Sequence, residues 1–122
     1  MENSKIFIID DDSIFRFMFT NILGRYVSKD DIYEFKNGQD ALNLLHLAPK
    51  HIFLDLRMPV IDGWEFMEEV TKRSLSSSTR IHIVSSSIDP YDESIKEKYE
   101  LVKNYLRKPV DPSTLEKIIK EG

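Results

Sequence analysis

Four short apolar runs in this chain each end on a residue suited to phosphate chemistry. Ile6-Phe7-Ile8-Ile9 runs into Asp10-Asp11-Asp12, and His51-Ile52-Phe53-Leu54 into Asp55. Ile81-His82-Ile83-Val84 runs into Ser85, and Val102 to Leu106 leads to Lys108-Pro109. Polar residues follow many strands, so one such run says little. Four in one small chain point to a single pocket at one edge of a sheet. That pocket would hold clustered carboxylates, a hydroxyl and an ammonium.

The runs are rich in Ile, Val and Phe and mostly continuous rather than alternating. This suits central strands of a parallel sheet covered on both faces. Strands are predicted over 5–10, 31–35, 51–55, 81–85 and 102–107, with helices between them. The first helix starts near Asp12 or Ser13, either able to cap it. It carries Phe15, Met18, Phe19 and Ile22 at helical spacing, and Gly24 can end it. The second follows Asn37-Gly38 and carries Ala41, Leu42, Leu44 and Leu45 until Pro49 intervenes. The third starts at Asp62-Gly63 and carries Phe66, Met67 and Val70. The fourth begins at Asp89-Pro90 and the fifth at Asp111-Pro112, each an Asp cap followed by Pro at the first helical position. The Phe and Tyr residues of these elements read as core. Five βα units in a row imply an open, doubly wound α/β fold.

At 122 residues the chain fits one domain, spanning 1–122. Its net charge of -4 argues against a nucleic-acid-binding surface. It has no cysteine, hence no disulfide framework or thiolate metal site. No apolar stretch approaches the roughly 20 residues needed to span a bilayer. The charged N-terminus enters a strand at once and does not read as a signal peptide, so a cytoplasmic protein is expected.

In an open parallel sheet, ligands bind beyond the carboxyl ends of the strands, where the strand order reverses. If the order is 2-1-3-4-5, Asp10 and Asp11 lie beside Asp55, with Ser85 and Lys108 on the next two strand ends. Crowded carboxylates repel and need a cation. Mg²⁺ takes oxygen ligands at about 2.0–2.1 Å and keeps waters, which leaves room for a phosphoryl oxygen. A carboxylate can also act as a nucleophile and form an acyl phosphate, whose oxygens Lys and Ser could hold.

These residues carry a resemblance. Asp10-Asp11, Asp55 with Met58-Pro59 and Asp62-Gly63, Ser85-Ser86, and Lys108-Pro109 together resemble the receiver domain of two-component response regulators, in that family's order and approximate spacing. The resemblance covers essentially the whole chain. It implies a flavodoxin-like five-stranded sheet of order 2-1-3-4-5 with five helices, like the chemotaxis member of the family. It implies that Asp55 accepts a phosphoryl group from a phosphohistidine on a sensor histidine kinase or histidine phosphotransfer protein. Mg²⁺ would be bound by Asp11, Asp55 and the backbone carbonyl of Arg57, with Asp10 acting mostly through a water. Ser85 and Lys108 would contact the phosphoryl oxygens, and Tyr105 would be a conformationally switching aromatic read by a downstream protein. Arg57 and Ser87 would flank the path of attacking water, and Lys108-Pro109 would be a cis peptide. A chain ending at Gly122 would be a stand-alone receiver, a signalling phosphoacceptor rather than an enzyme.

Other readings of the same residues compete. Asp12 and Ser13 suit a helix cap, Asp62-Gly63 a turn and helix start, and His51 and His82 packing within strands rather than metal ligation. Asp10-x-Asp12 also resembles the nucleophile motif of haloacid-dehalogenase-like phosphohydrolases, with Asp10 as nucleophile and Asp12 as acid. That reading lacks an acidic pair after Lys108 and leaves Asp55 unused. A third reading is a receiver-like binding module that needs no phosphate.

Overall fold

A computed structural model describes residues 5–58, 62–73, 79–86 and 94–121. The elements run β1 (Ile6–Ile9), α1 (Ser13–Leu23), β2 (Ile32–Phe35), α2 (Gly38–Asn43), β3 (His51–Leu54), α3 (Gly63–Lys72), β4 (Arg80–Ser85), α4 (Ile95–Lys98), β5 (Val102–Arg107) and α5 (Pro112–Glu121). The five strands form one parallel sheet of order β2-β1-β3-β4-β5. This is the expected flavodoxin-like order.

The apolar runs become strands because both of their faces are covered. On one face Phe7, Ile9, Ile52, Leu54, Ile81 and Ile83 pack with Ala41 and Leu42 of α2, Phe66, Met67 and Val70 of α3, and Ile95 of α4. On the other, Ile6, Ile8, Phe53 and Val84 pack with Phe19 and Leu23 of α1 and Leu115 and Ile118 of α5. β1 and β3 are fully buried along their length. A strand so placed gains nothing from polar alternation, which explains its continuous apolar sequence.

Helix starts follow the Asp and Asn caps. Asp12 Oδ1 accepts from the amides of Ile14 (3.0 Å) and Phe15 (3.2 Å). Asn37 Oδ1 accepts from Asp40 at 2.8 Å, and Asp62 Oδ1 from Glu65 at 2.9 Å. Each satisfies one or two amides that have no partner within the helix.

Three expectations need correction. Where five helices were expected, the described residues show four helices of more than one turn and the single turn Ile95–Lys98; the predicted start at Asp89-Pro90 lies outside the described residues. The second helix ends at Asn43 rather than running toward Pro49. A 3₁₀ turn, Leu45–Leu47, takes over, and Ala48 adopts a left-handed conformation with φ 52°. Pro49 disfavours right-handed helix at the residue before it. On α1, Phe19 is buried but Met18 is 56% exposed, so the apolar stripe is not all core; Phe17, on the same helix, is 67% exposed. No helix among the described residues is long and apolar enough to cross a membrane.

Candidate phosphoryl-acceptor site

The register brings the strand ends level. Ile9 is paired with Leu54, so Asp10 and Asp55 leave the sheet side by side. The ladder continues one residue beyond the strands: the amide of Asp55 donates to Ile9 O and that of Asp10 to Phe35 O, both at 3.0 Å. Both carboxylates are thereby held on rigid backbone, and both are buried, Asp10 at 1% and Asp55 at 7% exposure. Asp11 lies beside them, exposed. Carboxylate oxygens of Asp10, Asp11 and Asp55 lie within 4.8 Å of one another.

The next two strands supply the remaining groups. Ser85 ends β4 fully buried. The amide of Lys108 donates to Ser85 O at 2.8 Å, locking the end of β5 to the end of β4. The Lys108-Pro109 peptide is cis, as the resemblance implied. Lys108 Nζ lies 2.6 Å from Asp10 Oδ2 and 3.5 Å from Asp55 Oδ2, with only 16% of its side chain exposed. It also sits 4.3 Å from the centroid of the Phe15 ring.

Small hydrogen bonds aim the carboxylates. Asp10 Oδ1 accepts from the amide of Asp12 at 2.9 Å, and Asp55 Oδ1 from the amide of Arg57 at 3.0 Å. Arg16 donates to the carbonyl of Asp10 at 2.6 Å and pairs with Glu34 at 3.3 Å. In each carboxylate one oxygen is tied to the chain and the other faces Lys108.

Gly63 holds the loop after Asp55. A Cβ built on it would lie 2.6 Å from both Leu56 Cα and Leu56 Cδ2, and 3.0 Å from Asp55 O. Its amide donates to Leu56 O at 3.1 Å. The turn reading of Asp62-Gly63 holds but is incomplete: the glycine is needed because α3 starts against the backbone that follows β3.

The electrostatics follow from this crowding. Burial raises the pKa of Asp55 above the ordinary carboxylate value. Asp10 and Asp11 push it the same way; the Arg57 amide and Lys108 oppose them. For Lys108, burial works against the ammonium. The close contact with Asp10 and the charges of Asp55 and Asp10 outweigh it, so its pKa rises. An all-oxygen set of two buried carboxylates and one exposed one is the chemistry a hard divalent cation prefers. The residues present therefore fit Mg²⁺.

Of the residues singled out in the sequence, Asp10, Asp11, Asp55 and Lys108 converge, and Ser85 is tied to Lys108 through the backbone. Tyr105 is half-buried on β5 opposite Ile83 and packs against the core. Arg57 is exposed. Pro59 and Ser87 lie outside the described residues. Asp12 caps α1 and is exposed, so its carboxylate is engaged away from the cluster; this removes the acid that the phosphohydrolase reading needs. Phe15 reads only as core in the sequence, and its contact with Lys108 has no sequence signal, because it joins α1 to the residue after β5.

His51 and His82 form a second buried polar group, without a metal-like cluster among the described residues. His51 Nδ1 lies 2.9 Å from His82 Nε2, and Asn104 Nδ2 lies 3.0 Å from His82 Nδ1. The rings stack on each other and on Phe53. Both lie within strands, as expected.

Comparison with known proteins identifies the family. The family model of the response regulator receiver domain matches residues 6–120. The chain is 27% identical over 117 residues to Protein PilH of Pseudomonas aeruginosa, covering 95% of this chain and 94% of that protein. It is 36% identical over 73 residues to a protein-glutamate methylesterase/protein-glutamine glutaminase of Carboxydothermus hydrogenoformans, covering 59% of this chain but only 22% of that one. The chain thus spans far less than two thirds of the latter's length. A two component response regulator from Cytophaga hutchinsonii superposes with a TM-score of 0.82 at 26% identity, with 100% of both chains covered. Chemotaxis protein CheY4 of Vibrio cholerae gives 0.83 at 25% identity, with 98% of both covered. These matches do not support a haloacid-dehalogenase-like hydrolase. The chain belongs to the receiver domains of two-component response regulators.

Proposed function

We propose that residues 1–122 form a single receiver domain in which Asp55 is the phosphoacceptor. The observation that carries this is a buried carboxylate flanked by two more, with a lysine ammonium 3.5 Å away. One Asp55 oxygen attacks the phosphorus of a phosphohistidine on a sensor histidine kinase or phosphotransfer protein. An O–P bond forms, the N–P bond breaks, and the imidazole leaves with its electron pair. Lys108 and Ser85 hold the phosphoryl oxygens. Asp11, Asp55 and the backbone carbonyl of Arg57 would hold Mg²⁺, with Asp10 acting through a water. The metal, when bound, supplies positive charge against crowded carboxylates and phosphoryl oxygens. The exposed Arg57 side chain bears on the lifetime of the acyl phosphate.

Output follows from charge. Phosphorylation replaces the single carboxylate charge of Asp55 with about -1.5 to -2 charges on the phosphoryl oxygens. An inward shift of Ser85 toward the new oxygens opens room beside Tyr105, whose ring then favours a second position. A downstream protein reads the changed surface of α4, β5 and α5. This signalling role needs no chemistry on another substrate, and the setting is cytoplasmic.

The test is incubation with phosphoramidate, a small phosphodonor, with and without Mg²⁺. The protein should gain the mass of one phosphoryl group only with metal, and Asp55→Asn should gain none. An undiminished gain in Asp55→Asn would end the assignment.

A further inference from the structure

We propose that Phe15 is a positioning residue for Lys108, holding its ammonium through the face of the aromatic ring while the carboxylates change partners. This rests on the reading of Asp55 as acceptor and adds a residue to it.

Among the described residues, the ammonium of Lys108 lies 2.6 Å from Asp10 Oδ2, 3.5 Å from Asp55 Oδ2 and 4.3 Å from the Phe15 ring centroid. The two carboxylates have other duties. Asp10 belongs to the acidic cluster that fits a cation, and Asp55 loses its negative charge to an ester-like oxygen when it is phosphorylated. Phe15 is the neighbour that neither event removes. An aromatic face attracts a cation through its quadrupole, and more strongly when the pair is withdrawn from water. It also leaves the ammonium's charge uncompensated, so the full charge faces the incoming phosphoryl oxygens.

The ring is itself fixed. Phe15 stacks on Phe19 with centroids 5.1 Å apart and planes at 29°. Phe19 is buried and meets Phe53 edge-on at 4.9 Å. Phe53 lies on β3 two residues before Asp55. The amide of Phe15 is also capped by Asp12. One strand therefore seats both the acceptor carboxylate and, through two rings, the platform for the lysine.

The experiment replaces Phe15 with mono-, di- and trifluorophenylalanine, which keep the ring's shape but progressively weaken its negative face. The rate of Asp55 phosphorylation by phosphoramidate at saturating Mg²⁺ should fall stepwise. Phe15→Leu should lose about threefold to tenfold, the range of a partly desolvated cation–π contact. Phe15→Trp should restore the rate. The ε-methylene protons of Lys108 should show a ring-current shift that disappears in Phe15→Leu. That signature is readable in Asp55→Asn, so it stands apart from the acceptor assignment. A flat rate across the fluorinated series, or Lys108 resonances unchanged in Phe15→Leu, would overturn the proposal.

Discussion

Lys108 Nζ lies 2.6 Å from Asp10 Oδ2, nearer than to any oxygen of Asp55 among their ion pairs, at 3.5 Å. Asp10 is the more deeply buried of the two acids, so the lysine offsets charge where water does so least. A metal ion and Lys108 thus compete to neutralise the same cluster. Lys108→Met should bind Mg²⁺ at least about fivefold more tightly, since one unit charge about 4 Å away is worth several kcal/mol at an effective dielectric near 20 before reorganisation. It should also take up phosphoryl groups more slowly. Titration calorimetry measures the first effect; equal or weaker Mg²⁺ binding would remove the competition.

Gly63 is predicted to be the least replaceable glycine near the site. In Gly63→Ala the new methyl would stand 2.6 Å from Leu56 Cα, a backbone atom with little room to retreat. Overpacking of this kind destabilises by about 1–3 kcal/mol. Denaturant unfolding should show that loss, and the shift of the Asp55 carbonyl should slow phosphorylation as well. A loss below about 0.5 kcal/mol would mean the loop relaxes freely.

The paired histidines set an acid limit on stability. Burial, then Lys50 and Arg80, lower the pKa of His51 from 6.5 to about 4. Burial, then His51 and Arg80, lower that of His82 from 6.5 to about 3. Folded imidazoles therefore stay neutral while unfolded ones take up protons. Stability should fall as pH drops from 6.5 toward about 4, by up to about 1.4 kcal/mol per pH unit for each ring. Asp55 acts with the opposite sign: its raised pKa favours the folded state's carboxyl proton, so its contribution is lost as pH rises above the ordinary 3.8. Chemical denaturation across pH 4–7 should show the histidine slope, and a His51→Leu, His82→Leu double variant should flatten it. An equal slope in both proteins would place the effect elsewhere.

The sheet and the strand-end residues were legible because burial on both faces leaves a strand no polar positions, and the first polar residue after it marks the exit. Asp12, Asn37 and Asp62 were legible as starts because capping is local chemistry. What escaped depends on contacts between distant elements. The helical spacing puts Phe19, buried against Phe53, and Met18, which faces solvent, on the same stripe, and nothing local separates them. The early end of α2 combines a local signal, Pro49, with an unforeseen left-handed Ala48. The approach of Gly63 to Leu56 and the His51–His82 bond join residues that only the fold brings together. The Phe15–Lys108 contact joins residues about three quarters of the chain apart.

The central claim is that one carboxylate, Asp55, carries the phosphoryl group. The most direct measurement reduces the phosphoramidate-treated protein with borohydride, which converts an acyl phosphate of aspartate to homoserine, and locates that residue by peptide mass spectrometry. Homoserine at position 55, formed only when Mg²⁺ was present, is the predicted result. Homoserine at position 10 or 11, with Asp55 intact, would contradict the account.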